Sequence, residues 1–333
     1  MNDLPVWAEG FADRLLRKVP LAERTHIKIG GAVEWLVEPR SAAEAAALLK
    51  RLRDAGVVVR ILGGGNNLLA PDGGVSDAVV VSPVRIDHCV FEGNKLRAGG
   101  GLSLTKAITE ANAAGLAGMH PLGGIPAQIG GAVAMNAGGR HGWISDVLES
   151  ATVALPDGRR VVIPATDLDF GYRHCRLPEG ALVVEAVFAL KPGDAAELKR
   201  TCAEIVKTKN AAQPTRGANF GCTWKNPGGQ EGMSRAELVA RLGARGLDPT
   251  VEGRLGAGQL VDLSGAKGTR IGGAEITAKH GNFIDNLGGA TAADVRALIE
   301  TGERAVRERF GITLEREVVV WPEPALSAEG SGG

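Results

Sequence analysis

A turn of three glycines and two asparagines, residues 63–67, is the first pattern in the sequence that could do chemistry. It follows VVVRIL (57–62), an apolar run that predicts a buried strand. A strand that runs into consecutive glycines exposes several backbone N–H groups in one concavity, which can hold phosphate oxygens. No GK[ST] follows the turn, and Leu68 stands where the Rossmann fingerprint needs its third glycine. A phosphate-binding turn and a plain tight connection therefore both stay open for this segment alone.

A second glycine-rich run, GGIPAQIGGAVAMNAGG, occupies residues 123–139. Ordinary connections seldom need so many small residues over so short a stretch. Two separated loops of this kind suit a long cofactor with a diphosphate in its middle. Asn136 is short and polar among Ala and Gly, so it could hydrogen-bond a ring edge or a phosphate. The alternative is that it caps a local turn.

Composition and the remaining reactive residues exclude several other classes of protein. The four cysteines show no CxxC pair and the six histidines no HxxxH, so we predict no metal site. Lys plus Arg equals Asp plus Glu at 38 each, which favours neither nucleic acid nor a membrane surface as partner. The N-terminus lacks the apolar centre of a signal peptide, and no stretch approaches the ~20 apolar residues of a membrane span. We therefore expect a cytoplasmic protein.

The elements that must position the two loops are a mixture of helices and strands. Residues 31–39 alternate as a strand does, and a helix then begins at Ser41, where Glu44 completes a capping-box pattern. Gly56 ends that helix, so a βαβ unit leads into the glycine turn. Further strands are predicted at 78–86, 90–98, 150–163, 182–190 and 314–321. Further helices are predicted from Ser103 to Gly115 and at 195–208, 233–245 and 291–310.

Seven segments occur in the order seen in UDP-N-acetylenolpyruvoylglucosamine reductases, a family that this sequence resembles from about residue 21 to 321. They are THIKIGG (25–31), GGGNNLL (63–69), IPAQIGGAVAMNAGG (125–139), GYR (171–173), KNP (225–227), RIGGAEITAKHGNFIDN (270–286) and LEREV (314–318). The first half also resembles the wider FAD-binding fold shared with vanillyl-alcohol oxidases.

The resemblance implies an α+β, three-part FAD-binding fold with a C-terminal α/β substrate-binding domain. The implied parts are residues 1–85 with a returning strand at 312–322, residues 86–195 and residues 196–311. The sequence itself, which ends in SAEGSGG, predicts a flexible tail at 323–333. The implied cofactor is FAD and the implied partners are NADPH and UDP-N-acetylglucosamine enolpyruvate, in the synthesis of peptidoglycan precursor. The implied FAD contacts are Gly63, Gly64, Gly65, Asn66, Asn67, Leu68, Ile125, Gly130, Gly131, Ala132, Asn136 and Ala137.

The resemblance also assigns the catalytic residues. Hydride from reduced flavin adds to the vinyl ether, and the negative charge that develops on the adjacent carbon spreads into the substrate carboxylate. Arg173 matches the arginine that stabilises this enolate, and Glu317 matches the carboxylate that acts beside it. Without the motif, Arg173 would be a surface ion pair and Glu317 a charge in an edge strand.

Cys222 stands where the family usually has a proton-donating serine, within GCTWKNP. A thiol with a pKa of about 8.5 releases a proton more readily than an alkanol does, although Cys222 could instead only fill a slot for a small residue. With that pKa, activity should fall above about pH 8.5. Lys225 and Asn226 match residues that surround the substrate diphosphate; a solvated charge is the alternative for Lys225.

Two further departures from the family pattern concern binding and shape. Val319 replaces a common arginine, which removes one contact to cofactor or carboxylate. Residues 231–256 resemble an insertion and are expected to form a solvent-exposed helical flap. Two other functions stay open: an FAD-dependent oxidase of a small alcohol or hydroxy acid, and a binding protein without turnover.

Overall fold

The computed structural model describes residues 4–214 and 217–322, so the predicted tail at 323–333 lies outside the described residues. The first part of the chain forms a four-stranded sheet in the order β1-β2-β5-β3 with one helix and a short extra strand. Its elements are β1 (Leu15–Pro20), β2 (Ala32–Val37), α1 (Ala42–Asp54), β3 (Val59–Ile61), β4 (Leu68–Leu69) and β5 (Val75–Val81). Both β2 and β3 run parallel to β5, which lies between them. The predicted βαβ unit is therefore present as β2, α1 and β3, and the later strand β5 lies between its two strands.

Helix α1 begins and ends near the predicted residues, but its capping differs. The Ser41 hydroxyl accepts the Glu44 N–H at 3.1 Å, and Gly56 ends the helix region in a left-handed conformation, φ 67°. The Glu44 carboxylate accepts the backbone N–H of Arg40 and the Arg14 guanidinium instead of the Ser41 N–H. Only half of the predicted capping box forms, because an ion pair competes for its carboxylate.

The second part is a five-stranded antiparallel sheet in the order β12-β11-β13-β7-β6, covered by helices. Its elements are β6 (Cys89–Glu92), β7 (Lys95–Gly99), α2 (Leu104–Ala113), β8 (Leu116–Ala117), α3 (Ile129–Ala134), β9 (Gly138–Gly139), β10 (Gly142–Trp143), β11 (Leu148–Ala154), β12 (Arg160–Pro164), β13 (Leu182–Ala189) and β14 (Lys191–Pro192). The strand predicted at 78–86 ends at Val81, because a turn closed by the Ile86 N–H and the Pro83 carbonyl follows it. The α+β class is confirmed.

The third part contains a small antiparallel sheet in the order β17-β18-β19 and a long helix. The elements from residue 195 onward are α4 (Ala195–Ala212), β15 (Met233–Ser234), α5 (Arg235–Leu242), β16 (Arg254–Leu255), α6 (Ala257–Leu263), β17 (Arg270–Ile271), β18 (Ala274–Ile276), β19 (Ile284–Asn286), α7 (Ala292–Phe310) and β20 (Val319–Val320). Helix α4 packs on α2 of the second part. The boundary at residue 196 stays a prediction, and the first helix beyond it lies with the preceding part.

Residues 231–256 do not form a free flap. Met233, Leu238 and Leu255 are buried in the core of the third part, and Ser234 and Glu237 cap α5 reciprocally. Residues 240–243 and 245–254 are largely exposed. The expectation of a solvent-exposed flap was wrong for the rest, because apolar residues within or next to the charged triplets ARG (244–246) and EGR (252–254) pack inward.

Segments of the first part reach into the third. Ile27, Ile29 and Leu69 belong to the core of the third part. The Asp72 carboxylate accepts the N–H groups of Ala292 and Ala293, at 2.7 and 3.1 Å, and so caps α7 together with Thr291. These contacts attach the long helix of the third part to the loop that follows the glycine turn.

Removal of the Asp72 cap should destabilise the protein. We expect Asp72→Ala to lower the free energy of unfolding by about 0.5–2 kcal/mol, because two N–H groups at the start of α7 lose their acceptor. Denaturant unfolding followed by circular dichroism measures the change. Asp87→Ala, at an exposed position, is the matched control and should stay within about 0.5 kcal/mol of wild type. An equal loss in both variants would contradict the capping role.

Candidate active site

Arg173 lies at the tip of a tight turn. Gly171 and His174 exchange two backbone hydrogen bonds of 3.1 Å, and Arg173 between them has φ 52°. This position of the turn usually takes glycine, since a side chain there is strained. Arg173 therefore carries backbone strain of the kind that is common at functional sites.

The Arg173 guanidinium is held at two atoms. Its Nε donates to Glu317 Oε1 at 2.6 Å, and its Nη1 donates to the Gly138 carbonyl at 3.0 Å. The side chains of Arg173 and Glu317 are 15% and 11% exposed. Burial raises the pKa of the Glu317 carboxyl, and the Arg173 charge opposes that rise. The Glu317 charge is therefore lost at a higher pH than that of an ordinary glutamate.

Glu317 and Cys222 lie on two segments that run side by side. The Glu317 N–H donates to the Thr223 carbonyl, and the Lys225 N–H donates to the Glu315 carbonyl, both at 2.8 Å. The predicted strand at 314–321 is thus divided: its first half pairs with the Cys222 loop, and β20 pairs in parallel with β4. This division brings the Cys222 loop and the glycine turn to the same short segment.

Glu303 of α7 braces these two segments. Its carboxylate accepts the Trp224 indole N–H at 3.2 Å and the Arg316 Nε at 2.6 Å. Trp224 is fully buried, and its ring lies so close to Gly302 that a Cβ there would be 2.6 Å from it. The sequence offered no pattern for this contact, which joins residues far apart in the chain.

The Cys222 thiol is a much weaker acid than the sequence suggested. Burial raises its pKa to about 12; the Glu317 charge adds to the rise and the Arg173 charge opposes it. The thiol keeps its proton below that pKa, so it stays protonated across the neutral range. The expected loss of activity above about pH 8.5 used the ordinary thiol value and moves to higher pH.

The two glycine runs meet at Gln128. The Gln128 Oε1 atom is 3.6 Å from the position of a Cβ added at Gly63, and it is buried without a hydrogen-bond partner within residues 4–214 and 217–322. In the same ranges, the amides of Gly63 and Gly64 donate to no other backbone group. Unpaired N–H groups suit phosphate oxygens and an unpaired amide oxygen suits a hydroxyl or N–H. These residues therefore fit a nucleotide cofactor.

The other predicted cofactor residues lie around this junction with different exposure. Gly131 is exposed and faces open space, whereas Leu68 and Ala132 are buried. Asn67 accepts the Val319 N–H at its carbonyl and donates from its side chain to the Glu317 carbonyl at 2.9 Å. Gly65, Asn66, Ile125, Gly130 and Ala137 complete the same two loops. Asn67 thus links the glycine turn to the segment that carries Glu317.

The Asn136 side chain joins two other loops. Its Nδ2 donates to the Gly171 carbonyl at 3.0 Å, and its Oδ1 accepts the Ser145 N–H at 3.3 Å. These partners lie 35 and 9 residues away in the chain, so neither bond is the cap of a local turn. Through Gly171, Asn136 orients the turn that carries Arg173, and a contact to cofactor stays a prediction.

Lys225 and Asn226 both have partners within the protein, an ion pair for Lys225 and hydrogen bonds for Asn226. The Lys225 ammonium pairs with Glu315, which is largely exposed. The Asn226 side chain accepts the Ala257 N–H and donates to the Gln230 carbonyl, both at 2.9 Å, and its own N–H donates to the Tyr172 hydroxyl. These bonds fix the loop, while binding of substrate by either residue stays a prediction.

Tyr172 and Trp143 are site residues that the sequence reasoning did not single out. Their rings are 6.0 Å apart at 86°, and Arg173 Cζ lies 5.4 Å from the Tyr172 ring and 5.5 Å from the Trp143 ring. Tyr172 stands inside the GYR motif, so the motif itself was the available signal. Aromatic faces beside a guanidinium hold it in place by cation–π attraction.

The described part of the chain contains no helix long and apolar enough to cross a bilayer. Nor do the described residues include a group of three or more His, Cys, Asp or Glu that could hold a metal ion.

Loss of the Glu303 brace should be costly. We expect Glu303→Ala to lower the free energy of unfolding by about 1–3 kcal/mol, because the buried Trp224 N–H and the Arg316 guanidinium lose their acceptor. Denaturant unfolding with tryptophan fluorescence measures it. Glu308→Ala, exposed on the same helix, is the control and should change little. The brace would be refuted if the two variants were equally stable.

Two family models match the chain. One describes an FAD binding domain and matches residues 33–163, which include both glycine runs. The other describes the C-terminal domain of UDP-N-acetylenolpyruvoylglucosamine reductase and matches residues 213–321, which include Cys222 and Glu317.

Similar proteins cover nearly the whole chain. A UDP-N-acetylenolpyruvoylglucosamine reductase from Anaeromyxobacter sp. (strain Fw109-5) is 40% identical over 304 residues, 91% of this chain and 87% of the relative. One from Paracoccus denitrificans is 39% identical over 90% of this chain and 93% of the relative. The crystal structure of the reductase from Thermus caldophilus matches with a TM-score of 0.73 and 37% identity, covering 93% of this chain and 99% of that one.

Proposed function

Because the chain belongs to the UDP-N-acetylenolpyruvoylglucosamine reductase family, a family of FAD-dependent oxidoreductases, we propose that it reduces UDP-N-acetylglucosamine enolpyruvate to UDP-N-acetylmuramate. NADPH is the proposed electron donor, and the product feeds peptidoglycan synthesis in the cytoplasm. The observation that carries the proposal is the Arg173–Glu317 ion pair, which lies beside Cys222. These three residues come from segments that are distant in sequence.

FAD fits the residues at the junction of the glycine runs. The amides of Gly63 and Gly64 would hold the diphosphate, and Gln128 Oε1 would accept an N–H or hydroxyl of the cofactor. FAD held there would supply the hydride chemistry, with electrons from NADPH, for reduction of the enolpyruvyl methylene.

Arg173 binds the substrate carboxylate in this proposal. Negative charge develops there as the methylene is reduced, and a nearby guanidinium stabilises it more strongly than it stabilises the ground state. Glu317 holds the Nε edge of Arg173, and the Gly138 carbonyl holds Nη1. Together they orient the guanidinium before substrate arrives, so little reorganisation remains for the reaction itself.

Cys222 donates the proton to the carbon beside the carboxylate. The raised pKa keeps the thiol protonated at neutral pH. A carbanion at that carbon is a far stronger base than a thiolate, so donation stays favourable even from a weak thiol acid. The Arg173 charge stabilises the thiolate left behind, and burial favours its return to the thiol.

Arg173→Ala should separate the two half-reactions. We expect reoxidation of the reduced enzyme by the enolpyruvyl sugar to slow by roughly 10²–10³, because the developing charge loses its donor. Flavin content and reduction by NADPH should stay near wild type. Stopped-flow absorbance of the flavin, without oxygen, measures both steps. Arg176→Ala, an exposed arginine of the same loop, is the control.

Two outcomes would count against this role. An equal loss of the NADPH step would mean that Arg173 supports the fold or the flavin. Reoxidation of the wild-type protein by oxygen, and not by the enolpyruvyl sugar, would favour the alternative of an FAD-dependent oxidase.

Cys222 variants test the proton donor. We expect Cys222→Ser to keep much of the reoxidation rate and Cys222→Ala to lose roughly 10²–10⁴, the usual contribution of a general acid. The wild-type rate should persist through pH 8.5, because the thiol is deprotonated only near its raised pKa. Cys89→Ser is the control. A wild-type decline centred near pH 8.5 that is absent in Cys222→Ser would show a thiol of ordinary acidity.

A further inference from the structure

A small cavity lies next to Arg173 and takes no part in the chemistry proposed above. Its volume is about 210 Å³, and it is lined by Asn136, Trp143, Ser145, Gly171, Tyr172 and Gln230. Pockets for whole ligands of drug size usually span about 300–1,000 Å³. This cavity therefore suits one group of a larger ligand whose reacting part lies at Arg173.

Gln230 supplies an unsatisfied acceptor to this cavity. Its Oε1 atom is buried and has no hydrogen-bond partner among residues 4–214 and 217–322. Its main chain is fixed, because the Gln230 carbonyl accepts Asn226 Nδ2 at 2.9 Å. A buried amide oxygen without a donor is unfavourable, so a ligand that brings an N–H there recovers the lost bond.

The other lining groups are a paired amide, two aromatic rings, and the hydroxyls of Ser145 and Tyr172, each of which can still donate a hydrogen bond. The Asn136 side chain bonds to the Gly171 carbonyl and the Ser145 N–H, and the Tyr172 hydroxyl accepts the Asn226 N–H. The Trp143 and Tyr172 rings stand edge to face. The cavity thus offers aromatic surface, the unpaired oxygen of Gln230 and two hydroxyl groups, which suits a flat, uncharged group with both an N–H donor and an acceptor.

We propose that this cavity binds an amide group of the ligand, whose N–H donates to Gln230 Oε1 while its plane packs against Trp143. The proposal rests on the function proposed above. Both ligands of that reaction carry an amide close to their reacting atoms: the acetamido group of the amino sugar and the carboxamide of the nicotinamide ring. Gln230, which directly precedes the segment 231–256, is then a specificity-determining residue.

The test is the affinity of two Gln230 variants for the two ligands. Gln230→Met keeps the side-chain length and removes the acceptor, whereas Gln230→Glu restores an acceptor oxygen. Kd for the enolpyruvyl sugar comes from the change in flavin absorption when it is titrated into the oxidised holoenzyme. Kd for NADPH comes from the concentration dependence of flavin reduction in stopped flow. Glu231→Met, at the exposed neighbouring position, is the matched control.

We expect Gln230→Met to raise Kd roughly 5- to 100-fold for one of the two ligands, with partial recovery in Gln230→Glu and no change in Glu231→Met. A rise for the sugar alone assigns the cavity to the acetamido group, and a rise for NADPH alone assigns it to the carboxamide. Unchanged Kd values for both ligands in a variant that retains its flavin would overturn the proposal. Failure of the proposed function is seen separately, as a wild-type enzyme that the enolpyruvyl sugar does not reoxidise.

Discussion

The buried ion pair between Arg173 and Glu317 is the interaction on which the arrangement of the site depends. A charge pair removed from water is stable only when further hydrogen bonds satisfy it, and loss of one partner strands the other. Here the Gly138 carbonyl and two aromatic rings surround the arginine. The pair therefore forms only when the second glycine run, the Arg173 turn and the C-terminal segment are all correctly positioned at the same time.

The scaffold meets this requirement by attaching the C-terminal segment on two sides. Backbone bonds join it to the Cys222 loop on one side, and Asn67 and β4 join it to the glycine turn on the other. The Glu303 carboxylate fixes the first contact from α7. A displacement at any of these points would move Glu317 relative to both the thiol and the cofactor loops.

Much of the fold and of the candidate site could be predicted from the sequence, because the signals for these parts are local. Caps such as Thr291 and Gly311, and the glycine runs, depend on neighbouring residues. The thiol pKa, the Glu303 brace and the unpaired Gln230 oxygen depend on residues brought together by folding, so no spacing reveals them. The solvent exposure of the segment 231–256 was predicted wrongly for a related reason. Its charged triplets can be read from the sequence, whereas the residues that bury Leu238 lie elsewhere in the chain.

The pairing of β20 with β4 has a consequence for the order of events during synthesis. The Asn67 side chain and the Glu317 carbonyl that it contacts are separated by 250 residues. Contacts across so long a loop are entropically expensive and form late in folding. The Arg173–Glu317 pair can therefore form only after residue 317 has been synthesised, when Cys222 and Arg173 are already part of the nascent chain.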